Sequence, residues 1–365
     1  MRVGIDYLPA ATHWPGSGRY ARELVRALVG LEERPDLRLF DVGRAERRVD
    51  PRALGLPFGD PRVVRVTRSI PRRALPFLAR IGFDAARILG GIDVFHHVNV
   101  HGPAVRHARQ VLAIAELPEP RSPAADSLRD LARRQDALIV FSADWRLRVA
   151  EQLDFPLARV HATSVGCEHW RRTLSEIPAP DAPPRILVLG ATRTERRPLA
   201  VLRAFERLRE NGLDARLAYV GRDGAAEPAL AEALRASPAA RHVARIRDAA
   251  ESDLPALVAG ASVLVHLDPR AGTPVTPLEA LAAGVPVVAS RIPCFREHLE
   301  GVAELVDDAE AAREPAYLAG AIAQAIAART DGLELARRTA HARAYTWERC
   351  ATETLRVWTS VAARP

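Results

Sequence analysis

Short apolar runs alternate with longer amphipathic stretches along the whole chain. RVGIDYL at the start is followed by RYARELVRALVGL, whose apolar positions recur at helical spacing, and then by LRLFDV, RVVRVTR, IDVFHHV, QVLAIAEL and ALIVFS. Helix-like segments such as DWRLRVAEQL separate several of these runs. Strand and helix taking turns predicts parallel, doubly wound α/β layers. The segment IPAPDAPP packs four prolines into eight residues and predicts a linker. The series then restarts with RILVLG, LAVLRAFERLREN, RLAYVG, ESDLPALVAGA, SVLVHLD, PLEALAAG and VPVVAS. Two such sheets predict a ligand cleft between domains, at the carboxyl ends of the strands.

A chain of 365 residues is long for one core and comfortable for two. No run approaches the roughly 18 apolar residues of a membrane span. The start MRVGIDYLP lacks the apolar stretch of a signal peptide, so a cytoplasmic protein is expected. Cys167, Cys294 and Cys350 are odd in number and far apart, which predicts free thiols and neither a disulfide framework nor a zinc site. There is no lysine, so all 52 basic residues are arginine. The net charge of +7 is concentrated: residues 44–109 hold 13 Arg against 5 acids. A local basic patch points to an anionic partner or surface.

Five stretches carry candidate chemistry. In RAGTPVTPLEALAAGVPVVAS, Thr276, Pro277 and Glu279 fit a capping box, with Thr276 as the N-cap, while Gly272, Thr273, Pro274 and Val275 form a turn at a helix N-terminus suited to phosphate or sugar oxygens. Glu279 is thus either a cap or a ligand group. Gly16, Ser17 and Gly18 lie between the first strand and the first long helix, where a diphosphate can approach the backbone; the spacing is not that of a dinucleotide fingerprint. Arg193, Arg196 and Arg197 follow a strand, where a guanidinium can hold a leaving pyrophosphate. His96, His97, Asn99 and His101 follow another strand without the carboxylate or cysteine partners of a metal site. SIPRRALPFLARIGFDAARILGG, with Arg72, Arg73 and Arg80, reads either as a basic amphipathic surface for anionic lipid or as an ordinary surface helix. Nucleic acid is disfavoured, because aromatics are 5% of the chain and no stacking platform appears.

On GSGRYARELVRAL, LGATRTERRPLAVLRAF, DLPALVAGASVLVHLDPRAGTPVTPLEALAAGVPVVAS and AYTWERCATETL, the chain resembles family 4 of the retaining nucleotide-sugar glycosyltransferases, which have the two-Rossmann-domain GT-B fold. The resemblance implies an N-terminal acceptor-side domain over 1–176, a linker over 177–184, a nucleotide-sugar domain over 185–345 and a terminal helix over 346–365 that crosses back. Glu279 falls on the second glutamate of the family's E-x7-E motif, which holds the ribose hydroxyls. Gly16 and Gly18 fall on the glycine loop near the donor diphosphate, and Arg196 falls where a phosphate-binding lysine is usual. The chain departs from the family at Ala271, which replaces the first glutamate, at Ala191, and at Ala115 and Glu116, where His-Asp is frequent.

The implied reaction is transfer of a hexose from a nucleotide sugar to a glycan or lipid-linked acceptor, of the kind used to build cell-surface polysaccharide. Arg196, Glu116 and His96 are catalytic candidates, and Gly16, Ser17, Gly18, Arg193, Arg196, Gly272, Thr273, Pro274, Val275 and Glu279 donor-binding candidates. Arg72, Arg73, Arg80, His97 and Asn99 are expected on the acceptor and membrane side. No metal or cofactor is implied, the nucleotide sugar being a substrate. A non-catalytic protein of the same fold, binding a nucleotide sugar or scaffolding a transferase, is the alternative. A sugar-nucleotide epimerase is disfavoured by Ala115 and Ala271.

Overall fold

The computed structural model describes residues 1–12, 16–42, 56, 59–71, 74–170 and 183–364. The chain divides into two compact units, Met1–Gly166 with Thr346–Pro365, and Cys167–Tyr345. The terminal helix Trp347–Ala362 is therefore part of the first unit. The proline-rich segment expected as a linker over 177–184 lies outside the described residues up to position 182. The division falls earlier in the chain, after Gly166.

The first unit is built on a seven-stranded sheet in the order β3-β2-β1-β4-β5-β6-β7. Its strands are β1 (Arg2–Asp6), β2 (Asp36–Val42), β3 (Val63–Arg68), β4 (Val94–His97), β5 (Arg109–Ala113), β6 (Ala137–Val140) and β7 (Val160–Ala162), and every pair is parallel. The central strands β4 and β6 are buried at every position, as expected of a sheet covered on both faces. Gly4 in β1 is closely packed: a Cβ there would stand 2.7 Å from both Ile92 Cδ1 and Phe95 Cδ2, so those side chains would have to shift.

Helix Ser17–Gly30 and the terminal helix pack together in this unit, burying Tyr20, Leu24, Leu28, Trp347, Cys350 and Trp358. Thr346 caps the terminal helix by accepting the Arg349 N–H at 3.2 Å. The helix is also fixed at its entry, because Gly166 is so close that a Cβ would lie 2.4 Å from the Trp347 nitrogen.

The second unit repeats the plan with six strands, ordered β10-β9-β8-β11-β12-β13. These are β8 (Arg185–Leu189), β9 (Arg216–Val220), β10 (Val243–Ile246), β11 (Val263–His266), β12 (Val287–Ser290) and β13 (Glu304–Val306), again all parallel. Val201, Phe205 and Leu208 of helix Pro198–Glu210 join Leu318 and Ile322 of helix Pro315–Ala327 in one core over the sheet. In both sheets the strand order reverses beside the first strand, between β1 and β4 and between β8 and β11. In open α/β sheets such a reversal marks the strand ends at which ligands bind.

Candidate functional site

At the switch point of the second sheet, the loop after β8 meets the loop after β11. The chain leaves β8 through Gly190 at φ +126°, a conformation that favours glycine. A Cβ at Gly190 would also stand 1.6 Å from Arg196 Nη1, so the glycine makes room for the guanidinium. After Arg193 a single 3-10 turn, Thr194–Arg196, leads to Arg197 in the left-handed region and then to Pro198, the first residue of its helix.

Two of the three arginines converge on one carboxylate. Arg193 Nη2 donates to Asp268 Oδ2 at 2.9 Å, and Arg196 Nε lies 3.3 Å from the same oxygen. Arg196 Nη1 also donates to the Leu189 carbonyl at 2.9 Å. Asp268 is only 2% exposed and is anchored through its backbone: its N–H donates to Ser290 Oγ at 2.8 Å, and the Ser290 hydroxyl donates to Asp308 Oδ1 at 2.7 Å. The Arg270 N–H donates to the second Asp268 oxygen at 3.2 Å, while the Arg270 guanidinium pairs with Glu195. Loops from β8, β11, β12 and β13 are thereby tied together at one end of the sheet.

Burial decides the protonation of two neighbours. His266 is held down to about 3, first by burial and then by Arg196, with Asp268 opposing, so its imidazole is neutral at neutral pH. Asp308 is pushed up to about 6, chiefly by burial, with Asp268 and Asp307 adding to it against the Ser290 hydrogen bond and Arg197. The folded state therefore binds this proton more tightly than the unfolded chain. Stability from this group is greatest below about pH 4 and falls as pH rises to about 6, by roughly 3 kcal/mol at most. Asp308→Asn is expected to raise the melting temperature at pH 7.5 and to give no gain at pH 4. An equal shift at both values would exclude this origin.

The capping-box expectation for Thr276 and Glu279 is corrected by the helix boundary. The helix runs Val275–Ala282, Pro274 holds the N-cap position, and no side chain caps it. Thr276 is already helical, and Glu279 turns inward instead of back to the N-terminus. Glu279 is 1% exposed and its Oε1 lies 2.9 Å from Nε2 of His169, a residue of the 3-10 turn Glu168–Trp170 that the sequence reading did not single out. Beside it, Gly272 and Ala271 are buried, and Thr273 Oγ1 is buried without a hydrogen bond.

The other expected site residues lie in the first unit. Gly16 adopts φ +73° at the start of helix Ser17–Gly30, and its carbonyl accepts the Tyr20 N–H at 2.9 Å; Ser17 and Gly18 open that helix. Ala115 and Glu116 are exposed beyond β5. His96, expected as a catalytic candidate, is a core residue. Trp358 Nε1–H donates to its Nδ1 at 3.2 Å, so the ring proton is on Nε2, 3.2 Å from the Tyr20 hydroxyl. Burial, aided by His97, holds His96 at about 3, which removes it from proton transfer near neutrality.

His97 is buried with Nε2 3.2 Å from Gln110 Oε1, and Asn99 Oδ1 accepts the His101 N–H at 2.8 Å in a local turn. Arg80 is exposed at the end of helix Leu75–Arg80, near Phe77 and Ile81, which are 62% and 67% exposed. Arg72 and Arg73 lie outside the described residues. All three cysteines are free and buried. Among the described residues no cluster of three or more His, Cys, Asp or Glu has metal-holding geometry, and no helix is long and apolar enough to cross a membrane.

Residues 183–328 match the family described as Glycosyl transferases group 1. That segment contains the whole strand-end cluster and Glu279. No curated protein sequence matches the chain. Among solved structures, it is similar to sucrose-phosphate synthase from Thermosynechococcus elongatus, with a TM-score of 0.73 at 16% identity over 100% of this chain and 99% of the other. A glycosyltransferase from Rickettsia africae gives 0.68 at 11% identity, with 100% and 99% covered. Anabaena HepE, in complex with UDP-glucose, gives 0.66 at 14% identity, with 100% and 99% covered. The match to that family lies within the second unit, and the two Rossmann-like units have the GT-B fold of these solved structures.

Proposed function

We propose that the protein is a retaining glycosyltransferase that moves a hexose from a nucleotide sugar to a glycan or lipid-linked acceptor, without a metal or cofactor. The observation that carries the reading is the pair of guanidiniums, Arg193 and Arg196, at the switch point of the sheet within the segment 183–328. Their forked donors suit a diphosphate. Glu279, just over one turn into its helix and buried, is the group for the ribose hydroxyls. It would exchange His169 for them when the nucleotide arrives.

In this reaction the sugar C1–O bond to the diphosphate breaks, the acceptor oxygen bonds to C1 on the same face, and the acceptor proton passes to the departing phosphate. The protein positions both partners and stabilises the leaving diphosphate. Ala271 in place of a carboxylate forfeits one charge-assisted hydrogen bond, costing about 1.5 to 3 kcal/mol, which slows such a reaction without abolishing it. We further propose that the protein is cytoplasmic and docks on anionic membrane through residues 44–109, supported by the exposed Phe77 and Ile81 close to Arg80.

The alternative, a protein of this fold that binds a nucleotide sugar without turning it over, is favoured by one feature: a buried carboxylate, Asp268, already engages both arginines. A calorimetric screen of UDP, GDP, ADP and TDP sugars, followed by a donor-hydrolysis assay, separates the two. Binding with slow release of free sugar is expected. Binding without turnover, even with lipid acceptors, selects the alternative, and no binding removes both. The same samples over anionic vesicles at low salt report docking; protein that stays in the supernatant removes that part.

A further inference from the structure

We infer that Asp268 is a built-in competitor for the anion that Arg193 and Arg196 receive, so that this one carboxylate sets how weakly the phosphoryl group is held and how readily the product diphosphate leaves. The inference rests on the donor-site reading above and names a residue that limits affinity at that site.

Three observations lead to it. One oxygen, Asp268 Oδ2, accepts a hydrogen bond from Arg193 at 2.9 Å and stands at ion-pair distance, 3.3 Å, from Arg196 Nε. The carboxylate cannot readily swing away, since its own N–H is bound to Ser290, Ser290 to Asp308, and its second oxygen to the Arg270 N–H. Charge is matched on the other side too, because the next cation, Arg270, is paired with Glu195. An incoming anion therefore meets two arginines whose charge is half offset by a buried, fixed negative group, and it must share them. A diphosphate bound under those terms is held less tightly than by a bare arginine pair, because like charge at short range in a poorly solvated site is costly.

The tool for the test is inorganic pyrophosphate, which needs neither nucleobase nor sugar. Asp268→Asn keeps the size of the side chain and an acceptor for the Arg270 N–H but removes the charge. Titration calorimetry of the full-length protein is expected to show pyrophosphate bound at least tenfold more tightly by this variant than by the parent. The gain should be lost in high salt and absent when Arg193 and Arg196 are also replaced by Ala. Equal or weaker binding in Asp268→Asn would mean that the carboxylate merely positions the arginines, and a gain that survives without them would place the anion elsewhere; either overturns the proposal.

Asp268→Ser serves the same comparison if the amide variant melts early. Parallel titration and turnover with UDP sugars keep the two readings apart. A pyrophosphate gain without nucleotide-sugar binding in any variant retires the transferase reading and leaves Asp268 as competitor. Turnover without a pyrophosphate gain does the reverse.

Discussion

Arg196→Ala is expected to lower kcat/KM for donor consumption by a hundredfold or more while leaving the melting temperature within a few degrees of the parent. Arg196 is the better placed of the two arginines: one edge of its guanidinium is fixed by the Leu189 carbonyl at 2.9 Å, and Nε faces Asp268. Preorganised cation of this kind acts on charge that develops on the leaving diphosphate, where removing one donor typically costs about 10² to 10³ in rate. The stability effect is small because the side chain is partly exposed and its ion pair is shared with Arg193, which stays behind to neutralise Asp268.

Arg196→Lys should recover part of the loss, as a point charge without the fork. A lysine must serve Leu189 and a phosphate oxygen from one nitrogen, without the spaced planar donors of a guanidinium, and full recovery would show that only net charge matters. If Arg196→Ala leaves kcat/KM within threefold, the strand-end cluster is not the donor site.

The sequence pattern announced the two sheets but only one of their four edge strands, β3. All ten runs read as strands are strands, and the three it passed over, β7, β10 and β13, each close one edge of a sheet. Central strands buried on both faces read as continuous apolar runs, whereas an edge strand such as Val243–Ile246, exposed at Ala244, carries Arg245 amid half-buried neighbours and resembles a loop.

The helix after Gly272 shows a second limit. Pro274 and Pro277 both suit the first turn of a helix, where an N–H needs no intrahelical acceptor, so the sequence alone cannot choose which one marks the start. The choice moved Glu279 from a cap to a buried group. Asp268 and His169 were illegible for another reason: their partners stand 75 and 110 positions away, at Arg193 and Glu279, and only the folded sheet brings them together. His96 misled because a histidine at a strand end has the same letter whether it faces a ligand or, as here, Trp358 and Tyr20.

The largest stability loss is expected from Arg338→Ala, about 3 to 5 kcal/mol, read as a fall in the urea midpoint. Arg338 is 2% exposed, and its partners are backbone carbonyls: Nε donates to Gly284 at 3.3 Å, and Nη2 to Ala328 at 3.2 Å and Arg329 at 3.4 Å. Arg329 does the same for Ala261, Gly284 and Ala259 at 3.2 to 3.3 Å. These acceptors lie at or just beyond the last turns of helices Leu254–Ala259, Val275–Ala282 and Pro315–Ala327, where carbonyls lack intrahelical donors and the helix dipole favours a cation.

Truncating Arg338 leaves buried carbonyls unmatched and opens a cavity as large as the lost side chain. Burial depresses the pKa of both arginines, yet they stay protonated, because a guanidinium starts so far above neutral pH that the shift does not discharge it. Arg338→Met, which fills the volume without donating, should recover the cavity part alone and remain well below the parent. The same pair closes the end of the helix that carries Glu279, through Gly284, so below its melting temperature the Arg338→Ala protein should also bind nucleotide more weakly. A midpoint unchanged by either substitution would mean that water replaces the guanidinium at these helix ends.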